Sequence, residues 1–170
     1  MDLTPWLPLL RLIHVLAAFG FVLVHGASAM VAFKLRGERD RTRIQALLEL
    51  SNAFLNWMYV ALLVLLVAGI LSGIAGGHWT DGRYWLWASL GLLIAIIAAM
   101  YVFAAPHFEA LRHALGMATF NDLQKKLTPP PPATDAELAR LLESSKPMQA
   151  AVIGIGGIAL VVALMMLKPF

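Results

Sequence analysis

Residues 9–33, LLRLIHVLAAFGFVLVHGASAMVAF, form an apolar run in which Arg11 carries the one charge. A helix of that length exceeds the ~30 Å hydrocarbon core of a bilayer, so the run predicts a membrane-spanning helix. Three further apolar runs are predicted to span at 54–76, 84–105 and 149–167. The predicted fold class is therefore all-α: a single integral membrane domain built as a four-transmembrane-helix bundle. Composition agrees: 60% of residues are hydrophobic, 14% are charged and the mean hydropathy is +0.76, which excludes an ordinary soluble domain. Met1-Asp2 leads straight into the long first run, so the first helix is expected to be retained rather than cleaved as a signal peptide.

The connections give the expected orientation. Lys34, Arg36, Arg39, Arg41 and Arg43 lie between the first two spans, and Arg112, Lys125, Lys126, Arg140 and Lys146 between the last two; only Arg11, Arg83 and Lys168 remain for the other face. The positive-inside rule then places both termini outside and both basic connections in the cytoplasm of a bacterial inner membrane. The net charge of +3 comes from these short segments, without interleaved aromatics, so anionic lipid is the expected partner and nucleic acid is not.

Within the connections, Gly37 is expected to end the first helix, while Ile44, Leu47, Leu48 and Leu50 read as a helix running uninterrupted into the second span. The long connection, 106–148, begins as an amphipathic segment with apolar residues at Phe108, Leu111, Leu115, Phe120, Leu123 and Leu127. It is expected to lie at the membrane interface and to break near Gly116. Pro129 to Pro132 should be extended, and Thr134 with Glu137 predicts a capped short helix through about Glu143.

Two histidines stand in the first span. His14 and His25 are eleven residues apart, about 1100° of helical rotation, so both project from one face ~16 Å apart along the axis. Ionisable side chains inside a membrane point to function, and neutral imidazole is an axial ligand of haem iron. Small Ala18 and Ser28 border the stripe, and Phe21 lies on it between the histidines. One reading is ligation of one haem near each leaflet, by His14 towards the outside and His25 towards the cytoplasm. The other is hydrogen bonding across helices.

Opposing ligands are harder to find. His78 follows the second span and His107 the third, both at membrane edges where a surface position is the simpler reading; His113 is expected to be solvated. Five-coordinate iron, or an axial methionine such as Met58 or Met100, are the alternatives, and a haem site would engage a quinone or protein redox partner. A bundle without a cofactor, acting as a membrane scaffold or accessory subunit, is the competing function.

Other signals are structural. Gly69 and Gly73, extended by Gly77, form a GxxxG face suited to close helix approach, including association of two copies of the chain. Asn52 and Asn56, with Tyr59 nearby, are expected to bond a neighbouring helix. The spans contain no Asp or Glu, which argues against an ion-coupled transporter, and the absence of cysteine excludes thiolate sites and covalent haem attachment. The Gly154-Ile-Gly156-Gly157-Ile158-Ala159 run matches GxGxxA in letters but has no strand before it or acid after it.

The patterns LRLIHVLAAFGFVL, AGILSG and RYWLWASLGLL resemble a group of small bacterial four-helix membrane proteins. It includes the copper resistance D (CopD) family, the membrane-bound protoporphyrinogen oxidase HemJ, and predicted integral membrane proteins of unknown function, whose pattern is the nearest. The resemblance covers about residues 8 to 115 and implies a functional first-helix histidine at His14, with bound b-type haem in the oxidase branch. Residues 85–95 lack the lysine of that branch, so the resemblance leaves haem b binding open without carrying over the porphyrinogen chemistry.

Overall fold

In a computed structural model, which describes residues 2–82 and 84–169, seven α-helices and one short 3-10 turn account for the regular structure. Arg83, one of the three charges assigned to the outer face, lies outside the described residues. Helix α1 is Leu7–Gly37, α2 Arg41–Ala75, α3 Trp85–Phe103, α4 Ala105–Ala114, α5 Phe120–Lys125, α6 Asp135–Leu142 and α7 Lys146–Leu167. Four helical stretches are long and apolar enough to cross a membrane, and the protein is a multi-pass membrane protein.

Local chemistry explains the boundaries. Helix α1 ends at Gly37, and α2 starts at once because the Asp40 carboxylate accepts from the backbone N–H groups of Thr42 and Arg43 at 2.8 and 3.1 Å. From there α2 runs unbroken into its span, as its apolar periodicity predicts. Between α3 and α4 the chain bends at Ala104, where Pro106 has no N–H to continue the helical ladder. Gly116 terminates α4 in the left-handed region, with φ +71°, and the Pro132 ring lies against it. Thr134 caps α6 by accepting from the Glu137 N–H at 3.3 Å.

The spans associate as two pairs. Helix α1 packs along α2, α3 packs along α7, and α1 against α7 joins the pairs. The best-packed core lies at one end, where Val31 and Leu35 of α1, Ile44 and Leu48 of α2, Leu111 and Leu115 near α4, and Leu138 and Leu142 of α6 bury one another. This is the basic end. Arg41 fastens it from the side, reaching Asp135 at 2.6 Å and the Ala133 carbonyl at 2.7 Å. At the opposite end Trp79 and Trp87 meet edge to face at 4.7 Å, and Lys168 sits over the Trp85 ring.

The predicted interfacial segment divides. Leu111 and Leu115 are not at an interface: they are 1% and 5% exposed and belong to the core, with Phe108 packed against it. Phe120, Leu123 and Leu127 do face outward. Periodicity identifies an apolar face but cannot tell a protein core from lipid, because both are apolar solvents.

Candidate functional site

Each α1 histidine meets a glycine, but on different helices. His14 faces α2, with its Cε1 and Nδ1 edge set against Gly69; a Cβ placed there would lie 2.8 and 2.9 Å from those atoms. His25 faces α7, with Nε2 directed at Gly154. A glycine on the facing helix lets an imidazole enter between two backbones that a Cβ would hold apart.

The hydrogen bond of His14 fixes its chemistry. Nδ1 lies 2.9 Å from the Leu65 carbonyl oxygen, which can only accept, so Nδ1 carries the proton and donates. Leu65 is one turn before Gly69, and the missing side chain at 69 opens the path to that carbonyl. The lone pair is thereby left on Nε2, the arrangement that a backbone carbonyl imposes on a metal-ligating histidine. The Nε2 atom would lie 3.8 Å from a Cβ placed at Gly69 and has no hydrogen-bond partner among the described residues.

His25 is held differently. The residue is 8% exposed, its ring stacks on Phe21 with centroids 5.9 Å apart, and its Nε2 is buried without a partner. Phe21 thus fills space beside an imidazole, one of the two roles open to it. An axial ligand needs room in front of the nitrogen for the iron and the flat macrocycle, and that room is closed by the α7 backbone at Gly154. His14 Nε2 is thus unbonded with its tautomer set by Leu65, whereas His25 Nε2 is buried against Gly154.

The remaining histidines take three positions. His78, in the turn after α2, bonds Asp81 at 3.2 Å and lies against Gly76; no hydrogen bond or ring contact joins it to His14 among the described residues. His107 corrects its expected surface position. It is 3% exposed with Nε2 buried and unpartnered, because His107, Leu111 and Ala114 share the inward face of α4. That i, i+4, i+7 spacing was the available signal. His113 is not free in solvent either, since its Nε2 donates to Asp122 at 2.7 Å.

Asp122 was missed as a site residue. Its carboxylate accepts from the Thr119 N–H at 2.8 Å and the Thr119 hydroxyl at 2.7 Å, while Thr119 caps α5 in return. The backbone N–H of Thr119, then His113, then the Thr119 hydroxyl pull its pKa down to about 2. The signal was a capping box, Thr119-x-x-Asp122, with Asp in place of the usual Glu.

The glycine face of α2 is occupied within the chain: Gly69 by His14, and Gly73 by the Trp79 ring and Leu86. Trp79 reaches the Ile70 carbonyl at 3.3 Å. Asn52 and Asn56 are exposed and bond no neighbouring helix among the described residues, whereas Ser28 and Ser51 approach at 3.3 Å between α1 and α2. Two shallow apolar grooves, of about 340 and 480 Å³, flank α7 near Met148 and Val152, and neither is lined by a histidine. No cluster of three or more His, Asp or Glu suited to a metal ion occurs among the described residues. Comparison with known proteins gives no relative: no family model, curated protein or solved structure matches the chain.

Proposed function

We propose that the protein is a component of a bacterial inner membrane that holds b-type haem on His14 and takes part in electron transfer with a quinone or protein partner. The observation that carries this reading is the His14 Nδ1 donation to Leu65, which leaves the Nε2 lone pair free to ligate. Haem bound there would supply a one-electron carrier inside the bilayer. The chain's own contribution is to fix the imidazole tautomer and orientation and to surround the site with apolar helices. His25, His78 and His107 stay outside the ligand set. The basic end faces the cytoplasm in this reading, supported by ten of thirteen Lys and Arg on the two basic connections, and both termini lie outside.

One observation favours a second reading, a scaffold or accessory subunit without a cofactor. Both α1 histidines fill glycine notches, which is what interhelical keys would do. An absorption spectrum of protein purified from haem-replete membranes separates the two. The haem reading expects a Soret band that His14→Ala removes and His25→Ala retains. Wild type without porphyrin absorbance overturns it. Loss of thermal stability in His14→Ala, without any Soret band in wild type, is the outcome of the scaffold reading.

A further inference from the structure

Helix α5 is amphipathic the wrong way round for a helix packed on a protein. Its acidic residue faces inward: Asp122 is 8% exposed and holds Thr119 and His113. Its large apolar residues face outward, with Phe120 72%, Leu123 69% and Leu127 56% exposed. Helical spacing puts 120, 123 and 127 on one side. The C-terminal turn keeps Leu127 there. Lys126 takes the left-handed conformation at φ 53°, and the Leu127 N–H bonds back to the Asp122 carbonyl at 2.9 Å.

This orientation is built and fixed rather than loosely hung. Besides the His113 to Asp122 bond, Arg112 Nε donates to the Ala118 carbonyl at 3.0 Å, and Asn121 donates to Glu109 at 2.7 Å. All three run between α4 and the α5 segment, and α4 is locked into the basic-end core through Leu111. Asp122 and Asn121 are thus taken up by α4, while the apolar residues of α5 are displayed beside exposed Gln124 and Lys125.

We propose that α5 is a membrane-docking foot: Phe120, Leu123 and Leu127 enter the interfacial layer of the leaflet at the basic end, and Lys125 and Lys126 bind anionic lipid headgroups there. Two observations select lipid as the occupant. Helix α5 is fixed through α4 to the core at the basic end, the end that carries ten of the thirteen Lys and Arg. The exposed lysines beside the apolar face match the charge of an anionic leaflet. The proposal is independent of haem.

The test uses the full chain, whose lack of cysteine makes any introduced thiol unique. Phe120→Cys, Leu123→Cys and, as control, Glu137→Cys at an exposed position of α6 are spin-labelled and reconstituted into nanodiscs of phosphatidylcholine and phosphatidylglycerol. Leu127→Cys reports on the same face should either apolar variant fail to fold. Labels at 120 and 123 are expected to favour collisions with oxygen over a water-soluble nickel chelate, and the label at 137 the reverse. Omitting phosphatidylglycerol, or Lys125→Gln with Lys126→Gln, is expected to reduce the oxygen preference at least twofold. Nickel access at 120 and 123 equal to that at 137 overturns docking, and so does exclusion of both reagents, which marks a covering protein such as a second copy. An oxygen preference indifferent to lipid charge and to the lysines overturns the headgroup assignment.

Discussion

The contact between His14 and Gly69 predicts a large coupling energy in the membrane. In Gly69→Ala the new Cβ would fall 2.8 Å from Cε1 and 2.9 Å from Nδ1 of His14, against an ordinary carbon contact of ~3.5 Å. The ring must retreat by about 0.7 Å, which stretches the 2.9 Å bond to Leu65 beyond a useful hydrogen-bond distance. Overpacking of this kind costs about 1–3 kcal/mol, and the lost hydrogen bond about 0.5–1.5 kcal/mol. Against this, alanine is favoured over glycine inside a helix by about 1 kcal/mol. The net expectation is a destabilisation of about 1–3 kcal/mol in the wild-type background. With His14→Ala already present the notch is empty, and Gly69→Ala should be neutral or stabilising by up to about 1 kcal/mol. A double-mutant cycle on the purified protein, read by reversible unfolding in mixed detergent micelles, should therefore return a coupling of about 1–4 kcal/mol. Additive effects within about 0.5 kcal/mol would refute the contact.

Two further outcomes concern the basic end. Because the Asp122 carboxyl is lowered to about 2 from an ordinary 3.8, its contribution is complete above pH 4–5, as for any depressed carboxylate, and is lost as pH falls towards 2. Acid titration of unfolding should show the stability gap between wild type and Asp122→Asn flat near neutrality and closing below about pH 4; a gap that widens on acidification would contradict the assignment. Leu111→Ala, in a side chain 1% exposed, should cost about 2–5 kcal/mol by chemical denaturation, whereas Leu123→Ala on the outward face should cost under about 1 kcal/mol in detergent. Equal losses would mean that the division of the amphipathic segment is misplaced.

Much of this architecture was legible in the residues, and the failures share a physical origin. Length and apolarity locate spans well because the bilayer thickness is a fixed ruler, and Gly37, Gly116, Pro106 and Thr134 mark ends through local backbone chemistry. What a sequence pattern cannot supply is the identity of the neighbour. The alignment of His14 and His25 on one stripe suggested a shared environment, yet the neighbouring helices α2 and α7 divide that stripe between them. Gly69 and Gly73 advertised close approach, and the group that approaches is an imidazole or indole side chain of the same chain. His107 lay just beyond a predicted span and was assigned to the edge, but the Pro106 bend returns its face to the core.

The uneven packing explains why those glycine contacts matter. Lipid tails are as apolar as leucine, so apolar burial alone gives spanning helices little reason to choose one partner over another. In keeping with this, many large apolar residues of the spans, including Leu23, Leu63, Ile94 and Leu160, are exposed to the surroundings, and the dense core forms where α4 and α6 add water-facing helices to the ends of α1 and α2. Within the bilayer, register must come from shape and polarity: His14 on Gly69, His25 on Gly154, Ile96 on Gly157 and Ser28 on Ser51. His14 joins a glycine notch to a directed hydrogen bond, as Trp79 does at Gly73 and Ile70, and its Nε2 has no hydrogen-bond partner among the described residues. His25 Nε2 is also without a partner but is buried against Gly154, whereas Leu65 sets the His14 tautomer, which is why His14 is the residue on which the proposed chemistry rests.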